Sequence, residues 1–227
     1  MKKIILLSLI STALVGCGGG SDSNSPSSNS FDGIYANSDA VMLVDTALTY
    51  GAIASNGTHI LSFDGFTRNN DSMTFKGSNL WSNGVYSHSS DQTMNALFDD
   101  NNVQTTANIN GTPFTYDLSK QPVSKSLAEL AGTHSHAGQV TDISEDGTFN
   151  SYGNALGCTY DGILKMTKGL YYSSTVIASG CTDSARDGAY NGYFFTVNKL
   201  NKTNLLAVFH NKANPSHIIW GETPITN

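Results

Sequence analysis

The chain has 227 residues, 39% of them hydrophobic and only 13% charged, with a formal net charge of -6 at pH 7. That acidic balance excludes the basic stripe that nucleic-acid binding demands, so nucleic acid is not an expected partner. It also excludes electrostatic adhesion to anionic lipid heads; it reads first as a solubility setting, with a basic partner or divalent cations as the further options.

Met1-Lys2-Lys3 is followed by Ile4-Ile5-Leu6-Leu7-Ser8-Leu9-Ile10 and then by Leu14-Val15-Gly16-Cys17. A positive start, a short apolar stretch and a small residue before a cut form the three-part pattern of a secretion signal. The apolar stretch ends near Val15, short of the about 20 residues a spanning helix needs. Leu14-Val15-Gly16-Cys17 resembles a bacterial lipobox. The resemblance implies that residues 1–16 are removed, that the Cys17 sulfur carries diacylglycerol, and that acyl chains anchor the mature protein to a membrane. Gly18 stands where an Asp favours inner-membrane retention, so by the same resemblance the outer membrane is the expected location. Loss of Lys2 and Lys3 leaves 10 Lys+Arg against 18 Asp+Glu, a mature net charge of -8.

From Gly18 to Ser30 the chain holds nothing apolar to bury. Residues 17–30 therefore read as the lipidated cysteine and a flexible tether, with an r.m.s. reach of roughly 20 Å. The serines around Pro26 are either O-glycan acceptors or plain spacer.

Order begins at Phe31-Asp32-Gly33-Ile34-Tyr35. Short apolar runs then alternate with turn signals: Thr58–Phe63 before Asp64-Gly65, Ser72–Lys76 before Gly77, and Gln92–Phe98 before Asp99-Asp100-Asn101-Asn102. Later runs are Tyr190–Val197, Asn204–Phe209 and His217–Trp220. Such spacing, rich in aromatic and β-branched residues, predicts an all-β chain built as antiparallel sandwiches or barrels. Only Ser124–Ala131 looks helical, with Ser126 and Glu129 as a capping box for one turn. Gln121-Pro122-Val123 breaks the pattern ahead of it. We expect two small modules, residues 31–120 and 121–227, each long enough for a modest core.

Three cysteines are present: Cys17, Cys158 and Cys181. Lipidation uses Cys17, which leaves Cys158 and Cys181 to pair in an oxidising compartment. The segment between them reads as a hairpin that turns near Lys168-Gly169-Leu170. With Gly169-Leu170 as a two-residue type II′ turn, Lys168 faces Tyr171 and Cys158 faces Cys181. Opposed residues lie about 4.5–5.5 Å apart, within disulfide reach.

Leu130-Ala131-Gly132-Thr133, Asp146-Gly147-Thr148-Phe149, Gly157-Cys158-Thr159-Tyr160-Asp161-Gly162, Gly180-Cys181 and Gly188–Gly192 resemble small lipocalin-like β-modules of bacterial surface lipoproteins. The whole resembles two-module lipoproteins of Gram-negative bacteria. No ligand or catalytic residue is carried over from that likeness.

Candidate chemistry is sparse. His134 and His136 sit at i and i+2, which on a strand puts both imidazoles on one face, but no third zinc ligand follows by spacing. Asp99–Asn102 and Asp142–Gly147 look like calcium loops without EF-hand spacing, and the same residues serve as ordinary turns. Nucleophile-elbow, P-loop and zinc-protease motifs are absent from the sequence. No cofactor is implied. Trp81, Tyr86, Tyr171, Tyr172, Tyr193, Phe194, Phe195 and Trp220 either line a cup for an apolar or sugar ligand or fill a core. Tyr171-Tyr172, beside the hairpin tip, is the expected exposed contact site for a protein partner.

The reading is thus a membrane-anchored, non-enzymatic lipoprotein that binds a protein, glycan or small molecule or supports envelope assembly. A periplasmic immunity or inhibitor lipoprotein and an envelope hydrolase are the alternatives.

Overall fold

The computed structural model describes residues 31–225 except 83, 110, 111, 154 and 155. The signal segment, Cys17 and the tether lie outside the described residues. The first module is one closed antiparallel barrel of eight strands in simple up-and-down order: β1 (Gly33–Ala36), β2 (Val41–Val44), β3 (Ala52–Ser55), β4 (His59–Asn69), β5 (Ser72–Ser82), β6 (Val85–Phe98), β7 (Asn102–Ile109) and β8 (Thr112–Lys120). Closure comes from β8, whose Lys120 and Ser119 pair with Tyr35 and Ala36.

A single helical turn, α1 (Leu127–Leu130), follows. Its Glu129 carboxylate accepts from the Ser126 amide at 2.9 Å and from the Ser126 hydroxyl at 2.8 Å. The second module is a sheet of β9 (Gly132–His136), β10 (Gln139–Ile143), β11 (Thr148–Tyr152), β12 (Thr159–Ile163), β13 (Lys165–Thr167), β14 (Tyr171–Ser179), β15 (Gly188–Lys199), β16 (Lys202–Asn211) and β17 (Ile218–Pro224). It curls until β17 lies beside β9, so it is nearly a second barrel. At that seam Gln139 packs over Gly221, where a Cβ would come within 3.0 Å of its amide.

In–out alternation is clean where one face meets water: β11, Thr148-Phe149-Asn150-Ser151-Tyr152, alternates exposed and buried. It disappears in β1 and β2, buried at every position, and across Tyr193–Val197 of β15. Those strands are covered twice. Met42 and Val44 fill the first barrel while Val41 and Leu43 face the second module. Phe194 and Phe209 fill the second module while Phe195 and Val208 face the first. The molecule therefore has three cores: one inside each module and one between them.

A phase change in β4 and β5 serves that third core. Leu61, Phe63 and Leu80 line the first barrel on one side of Asp64/Gly77, and Phe66, Phe75 and Met73 on the other. Gly77 takes φ +65, and a Cβ there would lie 2.0 Å from Asp64 Oδ2. The break turns Trp81 outward, where its indole donates to the Ser216 carbonyl at 2.8 Å.

Cys158 and Cys181 form a disulfide with Cα atoms 4.0 Å apart. The hairpin register differs by one residue from the expected one: Thr167, not Lys168, faces Tyr171, and Thr159 faces Ser179. The turn is the reason. Lys168 and Gly169 both take positive φ (53° and 64°), and Leu170 donates to the Thr167 carbonyl at 3.0 Å. Leu170 is then an extra residue before pairing resumes. Gly180, at φ 67°, bends the chain after β14 and brings Cys181 back to Cys158.

Candidate functional site

The aromatic pair expected to be exposed beside the hairpin tip is buried, although Lys168 and Gly169 at the tip itself are exposed. Tyr171 and Tyr172 are 1% and 2% exposed, which corrects the contact-site expectation. Tyr171 packs in the core between the modules and Tyr172 in the second module's own core, so neither ring is left for a partner. Tyr171 donates to Asp45 Oδ2 at 2.7 Å, and Tyr172 donates to the Lys125 carbonyl at 2.9 Å. Asp45, 1% exposed at the end of β2, also accepts from Lys168 Nζ and from the Ala47 amide. Lys168 reaches Asp32 Oδ2 as well, at 2.6 Å.

Burial disfavours charge on Lys168, but hydrogen bonds to Asp32 and Asp45 outweigh it and hold the amine above the usual lysine range. Burial likewise works to raise Asp32, yet the Lys168 ammonium and the Thr46 amide and hydroxyl hold its carboxyl below the usual range. Burial and then the bond to Asp45 push the Tyr171 hydroxyl well above the ordinary phenol range. This network, with the Tyr50–Tyr193 hydroxyl pair beside it, is a clamp between modules. Both carboxylate oxygens of Asp45 are engaged inside the protein, while the Lys168 side chain remains 36% exposed.

The other aromatics follow the same logic. Trp81, Tyr193, Phe195 and Trp220 pack in the core between modules with Tyr86 at its margin, and Phe194 and Tyr172 pack inside the second module. They line no cup. His134 is buried, with Nε2 2.7 Å from the Leu130 carbonyl, whereas His136 is exposed on the same strand. Among the described residues no group of three or more His, Cys, Asp or Glu is placed to hold a metal ion. Asp99 Oδ1 caps its own turn, accepting from the Asn101 and Asn102 amides at 2.8 and 2.6 Å. Asp146 does the same for Thr148 at 2.9 Å.

What the aromatics do not provide, the first barrel does. One end is plugged: Phe31 stacks on Phe98 with centroids 4.5 Å apart, Tyr35 packs edge-on to Phe98, and the Arg68 guanidinium covers Phe31 at 4.2 Å. Phe63 and Phe75 pack next, 4.7 Å apart. Toward the other end the interior residues shrink to Ala40, Ala54 and Ala107, between Met42, Leu61, Leu80, Met94 and Leu118. A cavity of about 70 Å³ remains, and Ser55, Asn56, His59, Thr105, Phe114 and Tyr116 form its upper wall. Up-and-down order puts the β1–β2 and β3–β4 turns at this mouth and Phe31 at the plug. The well therefore opens at the end opposite to where residue 31 begins the fold.

Eight strands are the number whose interior is just wide enough either to fill with side chains or to hold one small ligand. Here the aromatic half is filled and the alanine half is not. Sequence reading missed the well because its signal is three alanines and two methionines on separate strands. A wider groove of about 880 Å³ lies between the β2–β3 loop and the outer face of the second module. It is open and mixed in polarity, with Thr148, Ser173 and Thr175 beside Ile163 and Ile177. No family model matches the chain, and neither a curated protein nor a solved structure matches it.

Proposed function

We propose that this chain is a lipid-anchored, non-enzymatic binding protein of the outer membrane that holds a small apolar ligand in the well of its first barrel. The well carries the reading: it is an apolar space of about 70 Å³ with a few polar groups in its wall, inside a barrel of the strand number that either fills with side chains or holds one small ligand. The lipobox-like Leu14-Val15-Gly16-Cys17 supports the anchor, and residue 31 begins the fold at the plugged end, opposite the mouth of the well.

Two measurements test this. Palmitate labelling should mark the protein and vanish in Cys17→Ser. Native mass spectrometry of protein purified from its own envelope should show a bound small apolar species that is missing from Ala107→Phe. An unlabelled protein removes the anchor, and a protein that carries and takes up no apolar compound removes the ligand role.

A further inference from the structure

We infer that the well takes a single straight alkyl chain belonging to an uncharged amphiphile, with an alcohol or amide head, in preference to a fatty-acid anion or a fused ring. The inference rests on the well being the ligand site and goes on to say what fits it.

Width decides the tail. An apolar cavity of about 150 Å³ is what holds a benzene ring. The space here is about 70 Å³, pinched between Met42, Leu61 and Met94 and opened only by Ala54 and Ala107. That is room for a short, narrow chain of a few carbons between the apolar floor and the polar mouth. Met42 and Met94 are unbranched and polarizable, so they follow a chain along its length more readily than they clear a flat ring.

The mouth decides the head. Asn56 Oδ1 accepts from the His59 amide at 2.8 Å and lies 3.2 Å from His59 Nδ1. Asn56 Nδ2 donates to Tyr116 Oη at 3.3 Å. With Nδ1 donating to Asn56, that tautomer of His59 presents Nε2 as an acceptor, and Tyr116 keeps its hydroxyl proton to donate. One acceptor and one donor, both uncharged, match a hydroxyl or an amide.

Charge rejects the anion. No Lys or Arg is among the residues around the well. Residues 31–120 hold nine aspartates against Arg68, Lys76 and Lys120. Arg68 covers Phe31 at the plugged end, and Lys120 lies 5.9 Å over the Tyr35 ring. Asp39 is next in sequence to Ala40, a residue of the well. A carboxylate at the mouth would meet no cation and a negative surrounding field.

The test is isothermal titration of the Cys17→Ser chain, purified without alkyl detergent, at pH 8 with butan-1-ol, butanoate and 1-naphthol. Butanol should bind at least tenfold more tightly than butanoate, and naphthol should give no heat. Ala107→Phe and Ala54→Leu should each abolish butanol binding with a retained cooperative melt, and Tyr116→Phe should weaken it about fivefold, the worth of one hydrogen bond. Butanoate or naphthol binding as well as butanol overturns the inference and leaves the well as a ligand site. Unchanged butanol binding in both alanine variants, or no binding by any probe, overturns the well itself.

Discussion

Replacing Lys168 by Met removes the only cation of the clamp while it keeps the bulk of the side chain at the hairpin tip. Asp45, 1% exposed, is then left with the Tyr171 hydroxyl and the Ala47 amide. Breaking a fully buried pair costs about 3–5 kcal/mol, and an exposed pair contributes about 0–1 kcal/mol. The Lys168 side chain is 36% exposed against 1% for Asp45, so solvent screens one partner only. We expect about 2 kcal/mol, which for a fold of this length lowers Tm by about 4–8 °C. Circular dichroism melting of Lys168→Met, Asp45→Asn and the double variant measures it, with a coupling of about 1–2 kcal/mol expected. The pH dependence follows from the directions of the shifts. Asp32 titrates below its unfolded value, so its contribution is complete above about pH 4 and is lost as pH falls through the folded value. Lys168 titrates above its unfolded value, so its contribution is complete below about pH 10 and is lost at higher pH. The wild-type advantage over Lys168→Met should be flat from pH 5 to 9 and shrink below pH 4. A Tm change under 1 °C, or a coupling near zero, would refute the clamp.

His210 stacks on Tyr50 at 5.8 Å and meets the edge of Trp81 at 6.1 Å, and burial holds its imidazole below the usual histidine range. The unfolded chain therefore takes up the proton first, and stability should fall as pH drops below about 6.5, by up to about 1 kcal/mol at pH 5.5. Urea unfolding should show this slope in the wild type and a flatter one in His210→Gln. Gly77→Ala places a Cβ on the Asp64 carboxylate at positive φ and should cost about 2–3 kcal/mol in thermal melts; a neutral result would mean that the β4–β5 phase change is freely adjustable. Reduction, or the paired change of Cys158 and Cys181 to Ser, opens a loop of sequence separation 23 and should cost about 3 kcal/mol by chemical denaturation.

Much of the fold was legible because β-structure writes itself locally. Turn residues such as Asp99 and Asp146 bond their own backbones, and strands such as Thr148–Tyr152 alternate because one face meets water. The pairing of Cys158 with Cys181 followed from the cysteine count and the oxidising compartment expected of a secreted chain, although the register at Lys168-Gly169-Leu170 came out one residue away, because the turn places Lys168 and Gly169 at positive φ and leaves Leu170 as an extra residue. Tyr171-Tyr172 shows where local reading stops: beside a turn they look exposed, yet Tyr172 turns into the second module's own core and Tyr171 is buried in the core between the modules. The signal was present in Val41-Met42-Leu43-Val44 and Tyr193–Val197, runs without alternation that a singly covered strand would not carry. Strand composition and turn chemistry thus set the all-β class, and the cysteine count set which two residues join. Tertiary structure alone decided that the barrels share a third core and that the well stays open, because an empty space is a property of side chains from seven strands meeting, and no single segment records which of them will fall short of the centre.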